Sequence, residues 1–319
     1  MLSRRHLRIK VLQAVYAFFQ NGDSGLSTGE KLLLTSVDKM HELFIHQLSF
    51  LIEIRDFAHN RIEESKKKFF PTEEDLDPNM KFVNNRVLKQ IEENRGFRRW
   101  HDKLKINWSE EGSMVRKAYL TLKDSGFYRR YMEESEDSYE NDAELLVRIV
   151  KKILTDFELL EYHYESRSVF WAFDSYHTTN LMVMKYLKWV KPGNDSETPL
   201  PEMIDNGEGQ EDRQFMIDLF RKTILHSDEY ARLIDEKARN WELERIALMD
   251  IILIKMALAE LLEFPSIPVK VTLNEYIDIS KYYSSAKSKV FINGILDKLI
   301  VDLKDKKMIR KTGRGLLEF

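Results

Sequence analysis

Apolar residues recur at three- and four-residue spacing along most of the chain, and that spacing predicts helices. In the first, from about Ser3 to Gln20, Leu12, Val15, Tyr16 and Phe19 form one stripe. Arg4, Arg5, His6, Arg8 and Lys10 crowd its first two turns, and Asn21 with Gly22 ends it. A second helical stretch runs from Lys31 to Lys68, and the segment Pro71 to Pro78 breaks it. Shorter helical segments follow over 81–131, then an acidic spacer from Glu133 to Asp142, then helical pattern from Ala143 to about Trp189. Lys191 to Pro201, continuing through Asn206 to Gly209, reads as the clearest linker. From Arg213 the pattern is helical to the end apart from a corner at Pro265–Pro268, and Arg310 to Arg314 reads as a frayed tail. The predicted class is all-α, and only 12 Gly and 7 Pro in 319 residues agree with helices over a many-turned β fold.

Two local signals stand out near the end. Thr272 and Glu275 have the spacing of a capping box, with Val271 and Tyr276 at the staple positions and Pro268 just upstream. Ser284 to Lys289 then forms a turn with two cations, Lys287 and Lys289, at the start of the next helix. Free backbone N–H groups and lysines at such an end make a phosphate site; the same residues also fit a solvated turn. Phe291 follows directly, where an aromatic ring would lie beside a bound nucleic acid. Asn293 and Gly294 in mid-helix would allow close helix packing.

Charge and composition limit the chemistry. Net charge is −3, so any nucleic-acid binding rests on local patches. The absence of cysteine excludes disulfides and thiolate metal sites. With no apolar run of membrane length and no cleavage pattern of a signal peptide, a cytoplasmic protein is expected. His41 and His46 are five apart, where a zinc-protease helix needs four. Ser284 to Lys287 contains Ser-x-x-Lys without its companion motifs, and no Gly-rich phosphate loop occurs. No enzyme site and no cofactor are expected. The tryptophans and tyrosines read mainly as core. A gapless overlay of Asp142–Leu187 on Asp212–Ala257 raises a partial internal duplication.

The run from Pro268 to Lys281 (PVKVTLNEYIDISK), followed by Lys287 to Lys298 (KSKVFINGILDK), resembles the C-terminal signature of the NusB family of transcription antitermination factors. There the pattern is Val-Pro-x-Lys-Val-Ala-Ile-Asn-Glu, then Lys-Phe-Val-Asn-Gly-Val-Leu-Asp-Lys. Arg4, Arg5 and Arg8, with Leu12 to Tyr16 (LQAVY), resemble that family's arginine-rich first helix. The likeness resumes near Phe215 and passes through Asp235, Trp241, Asp250, Ala257 and Glu260. It implies NusB-like helical bundles carrying a large helical insertion. Residues 1–30 would be the basic helix, 31–210 the insertion, either a second bundle or a docking surface for another protein, and 211–319 the C-terminal bundle.

By the same resemblance, the protein would bind a boxA-like single-stranded RNA together with NusE, a small-subunit ribosomal protein. It would act on the RNA polymerase elongation complex during rRNA transcription. Arg4, Arg5, His6, Arg8, Lys287, Lys289 and Phe291 would touch RNA, and Tyr16 and Asp250 would face the protein partner. Two departures stand against the family pattern: the lysine-bearing turn, usually acidic or mixed there, and the insertion, which would equally well cover a family surface. Alternatives are a helical protein–protein scaffold without RNA binding, or an accessory protein of RNA modification. A NusB-like RNA cytosine methyltransferase would need a catalytic cysteine, and the chain has none. The combined RNA surface requires the fold to bring residues 4–10 near 287–291.

Overall fold

The computed structural model describes residues 2–22, 25–172, 174–204, 211–238 and 247–317. The linker residues 205–210, and Trp241, lie outside the described residues. Among the described residues there are helices and no strands. In chain order the α-helices are α1 (Arg4–Asn21), α2 (Leu26–Lys66), α3 (Glu73–Leu76), α4 (Arg86–Glu93), α5 (Arg95–Leu104), α6 (Gly112–Asp124), α7 (Gly126–Glu133) and α8 (Tyr139–Lys152). They continue as α9 (Glu158–Arg167), α10 (Ser175–Trp189), α11 (Glu211–Leu225), α12 (Ser227–Ala238), α13 (Leu248–Glu263), α14 (Val269–Tyr283) and α15 (Ala286–Asp305). The chain divides into two compact units: Asp38–Met203 forms one, and Leu2–Val37 with Ile204–Phe319 forms the other. The family resemblance implied borders at 30/31 and 210/211; the compact unit runs from Asp38 to Met203.

In the Asp38–Met203 unit, short helices are delimited by their own caps. The side chains of Asn85, Asn94, Ser125 and Ser138 accept the first free N–H groups of α4, α5, α7 and α8. Asp142 ties three of these helices together. Its buried carboxylate accepts from the Arg86 backbone N at 3.0 Å, Arg86 Nε at 2.8 Å and Tyr131 Oη at 2.6 Å. A buried charge is tolerable only when its lone pairs are satisfied in this way. Beneath lies an aromatic core in which Trp108 Nε1 donates to Ser49 Oγ at 3.0 Å and Trp171 Nε1 to the Lys39 carbonyl at 2.8 Å. His46 sits among Trp108, Tyr164 and Trp171.

The other unit is built around α13. The stretch from Ile252 to Leu261 is apolar on nearly every side, and a helix of that kind belongs at the centre of a bundle. Helices α1, α11, α12, α14 and α15 surround it. Arg4 meets Asp212 while Phe18 meets Phe220, so α1 runs in the same direction as α11. It also runs with α14, because Arg5 reaches Glu275 and Gln13 reaches Tyr283. Against α13 it is antiparallel, with Arg8 at Glu260 and Phe19 beside Lys255.

Three local expectations change. Helix α14 begins at Val269 behind Pro268, so Thr272 and Glu275 lie inside it and cap nothing. Proline pre-sets the helical φ at the corner, which frees those two side chains for tertiary contacts. The tail from Arg310 is not frayed: Thr312 N donates to the Pro265 carbonyl at 3.0 Å, and Lys311 Nζ to the Phe264 carbonyl at 2.9 Å. These donors satisfy carbonyls beyond the end of α13. Close packing occurs at Gly315, where a Cβ would stand 1.9 Å from the Pro265 oxygen, and not at Gly294, which faces open space.

The offset raised by the sequence overlay is matched by the order of helices. A shift of 70 residues carries α8, α9 and α10 onto α11, α12 and α13 to within four residues at every boundary. In each unit an arginine at the first position of a helix, Arg86 or Arg4, donates through Nε to the equivalent aspartate, Asp142 or Asp212, at 2.8 Å.

Burial holds the His46 imidazole down to about 3 from 6.5, with the positive charge of Arg167 adding to the effect. Unfolding exposes a ring that takes up a proton below pH 6.5, so stability present at neutral pH is lost as pH falls from there toward 3. At pH 5 this one group is expected to remove roughly 2 kcal/mol. Urea unfolding of wild type and His46→Phe at pH 7 and pH 5 checks this: the variant should lose less stability on acidification.

Candidate nucleic-acid interface

Helix α1 begins at Ser3, whose hydroxyl accepts from His6 N at 3.4 Å while Ser3 N donates to His6 Nδ1 at 3.1 Å. The imidazole therefore serves a capping box with Ser3. The two arginines beside it are about half-exposed and already paired. Arg4 bonds Asp212 at 2.8 Å and lies over the Phe215 ring at 4.6 Å. Arg5 makes a two-toothed contact with Glu275 at 2.9 and 2.8 Å and a third bond to Asp278 at 2.9 Å. Planar guanidinium-to-carboxylate pairing of this kind is directional and strong.

Arg8 differs from both. It is 3% exposed and faces Glu260, which is fully buried at 0%. Nε and Nη2 of Arg8 reach the two Glu260 oxygens at 2.7 and 2.8 Å. Thr272 Oγ1 donates to Glu260 Oε1 at 2.8 Å, and Tyr276 Oη to Oε2 at 3.3 Å. Burial by itself pulls the Arg8 guanidinium down, but the Glu260 charge and hydrogen bonds outweigh it and leave the group above its ordinary value. Burial and the same carboxylate push the Tyr276 phenol well up. The tail lysine Lys311 is drawn down to about 8 by burial, with the Glu260 charge opposing.

The expectation that Arg8 contacts RNA is therefore corrected: it is an internal cation saturated by Glu260. Phe291 is corrected likewise, because it is 5% exposed and packs inside the bundle. Lys289 is exposed in the first turn of α15, and the Lys287 side chain lies outside the described residues. Ser285 caps that helix by accepting from Ser288 N at 3.2 Å. Tyr16 is 37% exposed and its hydroxyl accepts from Gln20 at 3.3 Å. Asp250 is buried and accepts a hydrogen bond from the Ser284 hydroxyl, so it holds the α14–α15 turn instead of presenting itself to a partner.

The turn itself meets the middle of α1, at Gln13 and Tyr283, while the basic start of α1 lies against Glu275 and Asp278. Eight residues of helix separate Arg5 from Gln13, or about 12 Å along the axis. The two basic elements thus sit at successive levels of the α1–α14 pair rather than at one point.

Glu260, Thr272, Tyr276 and Lys311 carry the arrangement that sequence reasoning missed. The readable signal was Glu260, an acid in the otherwise apolar run Met256 to Leu262, which demands a buried cation. No group of His, Cys, Asp and Glu able to hold a metal occurs among the described residues. None of the helices described is long and apolar enough to cross a membrane.

Helices arranged around a central apolar α13, with a basic first helix clasped to it, define an all-α bundle with one arginine-lined side. The NusB family model matches residues 180–301. A transcription antitermination protein NusB of Salinibacter ruber (strain DSM 13855 / M31) is 44% identical over 105 residues, 33% of this chain and 66% of that protein. That of Chloroherpeton thalassium (strain ATCC 35110 / GB-78) is 39% identical over 106 residues, 33% of this chain and 50% of its own. That of Desulfatibacillum aliphaticivorans is 40% identical over 99 residues, 31% and 69%. The chain belongs to the NusB family. Its matches span from half to about two thirds of these relatives' lengths. No solved structure matches.

Removing one partner of the buried pair leaves the other charge unsatisfied, which costs about 3–5 kcal/mol. Arg8→Met and Glu260→Gln are each expected to destabilise this unit by that amount in urea. The double variant Arg8→Met/Glu260→Met should be less destabilised than the sum, and strict additivity would show that the pair is not coupled.

Proposed function

We propose that this protein is a non-enzymatic RNA-binding factor of transcription antitermination. It binds a boxA-like single-stranded RNA together with the ribosomal protein NusE and acts on the RNA polymerase elongation complex during rRNA transcription. The observation that carries this reading is membership of the NusB family, with relatives named as transcription antitermination proteins. Arg4, Arg5 and His6 at the start of α1, with Lys287 and Lys289 at the start of α15, contact the RNA. Phosphates compete for the exposed faces of Arg4 and Arg5, which remain about two-fifths open while their partners Asp212 and Glu275 are 16% and 19% exposed. Tyr16 faces the protein partner, and Asp250 acts indirectly by holding the turn at Ser284. Arg8 supports α1 from inside.

The scaffold reading keeps one observation of its own: Arg4 and Arg5 are already ion-paired. Binding of a boxA-like RNA, with and without NusE and across salt concentrations, separates the two. Arg4→Ala/Arg5→Ala/Lys289→Ala is expected to weaken RNA binding by at least tenfold at low salt. Three lost phosphate contacts on a single strand should also flatten the log–log salt slope by about 2. A wild type that binds NusE and no RNA would establish the scaffold instead.

A further inference from the structure

Among the described residues, the helix with the densest run of cations is not α1 but α5 in the Asp38–Met203 unit. Across its ten residues and its C-cap it carries Arg95, Arg98, Arg99, Lys103 and Lys105, with Asp102 as the single acid. The helix forms because Asn94 caps it and because Phe97 anchors its inner face, buried at 4%. At 100° per residue, Arg95, Arg99 and Lys103 then fall on the outer face, with Trp100 at its edge. Lys103 Nζ stands 4.0 Å from the centre of the Trp100 ring.

The end of α10 continues this surface. Its last turns bear Lys185, Lys188 and Trp189, Lys191 follows, and no acid occurs from Ser175 to Lys191. A row of rings connects the two helices: Trp100 to His41 at 4.7 Å, His41 to Phe44 at 6.2 Å, Phe44 to Tyr186 at 5.6 Å and Tyr186 to Trp189 at 6.1 Å. The segment after α10 is tied down beside α5, since Ser196 O accepts from Arg95 N at 2.9 Å and Lys191 O from Gln90 Nε2 at 2.9 Å. Trp189 is half-exposed. Arg95 pairs with Glu197, whereas Arg98, Arg99, Lys103, Lys105, Lys188 and Lys191 are exposed and form no ion pair among the described residues.

We propose that this α5–α10 face is a second binding surface for single-stranded RNA, recognising phosphates through its unpaired cations and stacking bases on Trp100 and Trp189. It reads no particular sequence, because every base offers a π-face and the cations see only the backbone. An acidic peptide would satisfy the charges but leave the two tryptophans unused. The ligand class rests on the RNA-binding reading above; the site does not, since it uses none of the residues of α1, α14 or α15. Such a surface would hold transcript flanking the boxA-like element.

The test uses the full chain and two labelled single-stranded RNAs, one of mixed sequence and one containing a boxA-like element, by fluorescence anisotropy across salt. Arg99→Glu/Lys103→Glu and Lys188→Glu/Lys191→Glu are each expected to weaken the mixed-sequence RNA by at least tenfold. Each should lower its salt slope by more than about 1, as loss of two phosphate contacts requires. Trp189→Ala is expected to cost about tenfold with the slope retained. Arg99→Gln/Lys103→Gln, with thermal melting as a control, keeps the test independent of any misfolding of the reversed-charge chain. Unchanged affinity and slope in these variants overturn the inference, as does tighter binding of polyglutamate than of RNA at this face. Mixed-sequence binding that depends on α5 without any preference for the boxA-like element would support this surface and overturn the proposed function. The opposite pattern would overturn this surface and leave that function standing.

Discussion

The Leu2–Val37 and Ile204–Phe319 unit depends on one buried ion pair, Arg8 with Glu260. Two full charges inside a helical bundle are tolerable only because four donors converge on the carboxylate: two from Arg8, one from Thr272 and one from Tyr276. That requirement sets the relation of three helices. α1 must present Arg8 to α13, and α14 must start just behind Pro268 so that Thr272 and Tyr276, four residues apart, both point to the same carboxylate. The C-terminal tail closes the same corner, with Lys311 on the Glu260 and Phe264 carbonyls and Gly315 against Pro265. Apolar packing alone would leave α1 free to rotate or slide on α13; a bidentate pair in a dry interior does not.

This arrangement divides the arginines of α1 by function. The same helix that carries a basic surface also supplies an internal cation, one turn apart. Arg4 and Arg5 keep about two-fifths of their side-chain surface in solvent while holding half-buried carboxylates. Arg8 has no such freedom. The basic N-terminal motif is therefore partly a device of folding, and its density of arginine overstates the charge left at the surface.

The Asp38–Met203 unit uses related means to a similar end. Asp142 gathers donors from α4 and α7 as Glu260 gathers them from α1 and α14, and an arginine at a helix start serves the aspartate in both units. Matching helix boundaries at a constant offset extend that parallel. The unit differs at its surface, where α5 and the end of α10 place cations beside tryptophans, with Asp102 the only acid within α5 and Glu197 paired to Arg95.

Much of this was legible in the chain. Helical periodicity and scarce glycine and proline specified an all-α protein and the main helical stretches, because those signals act over a few residues. The C-terminal signature marked the family for the same reason: its residues lie close together in sequence. What lies far apart was not legible. Thr272 and Glu275 have the spacing of a cap, and only tertiary structure decided that they serve Glu260 and Arg5 instead. Arg8 and Arg5 look alike in sequence, and Phe291 looks like a surface ring beside two lysines. Which of them faces water depends on partners some 250 residues away, or on the bundle's packing, and no local pattern encodes that distance. The sequence by itself determined the elements and the family. The tertiary structure decided which charges are spent inside, because burial and pairing are properties of the assembled bundle.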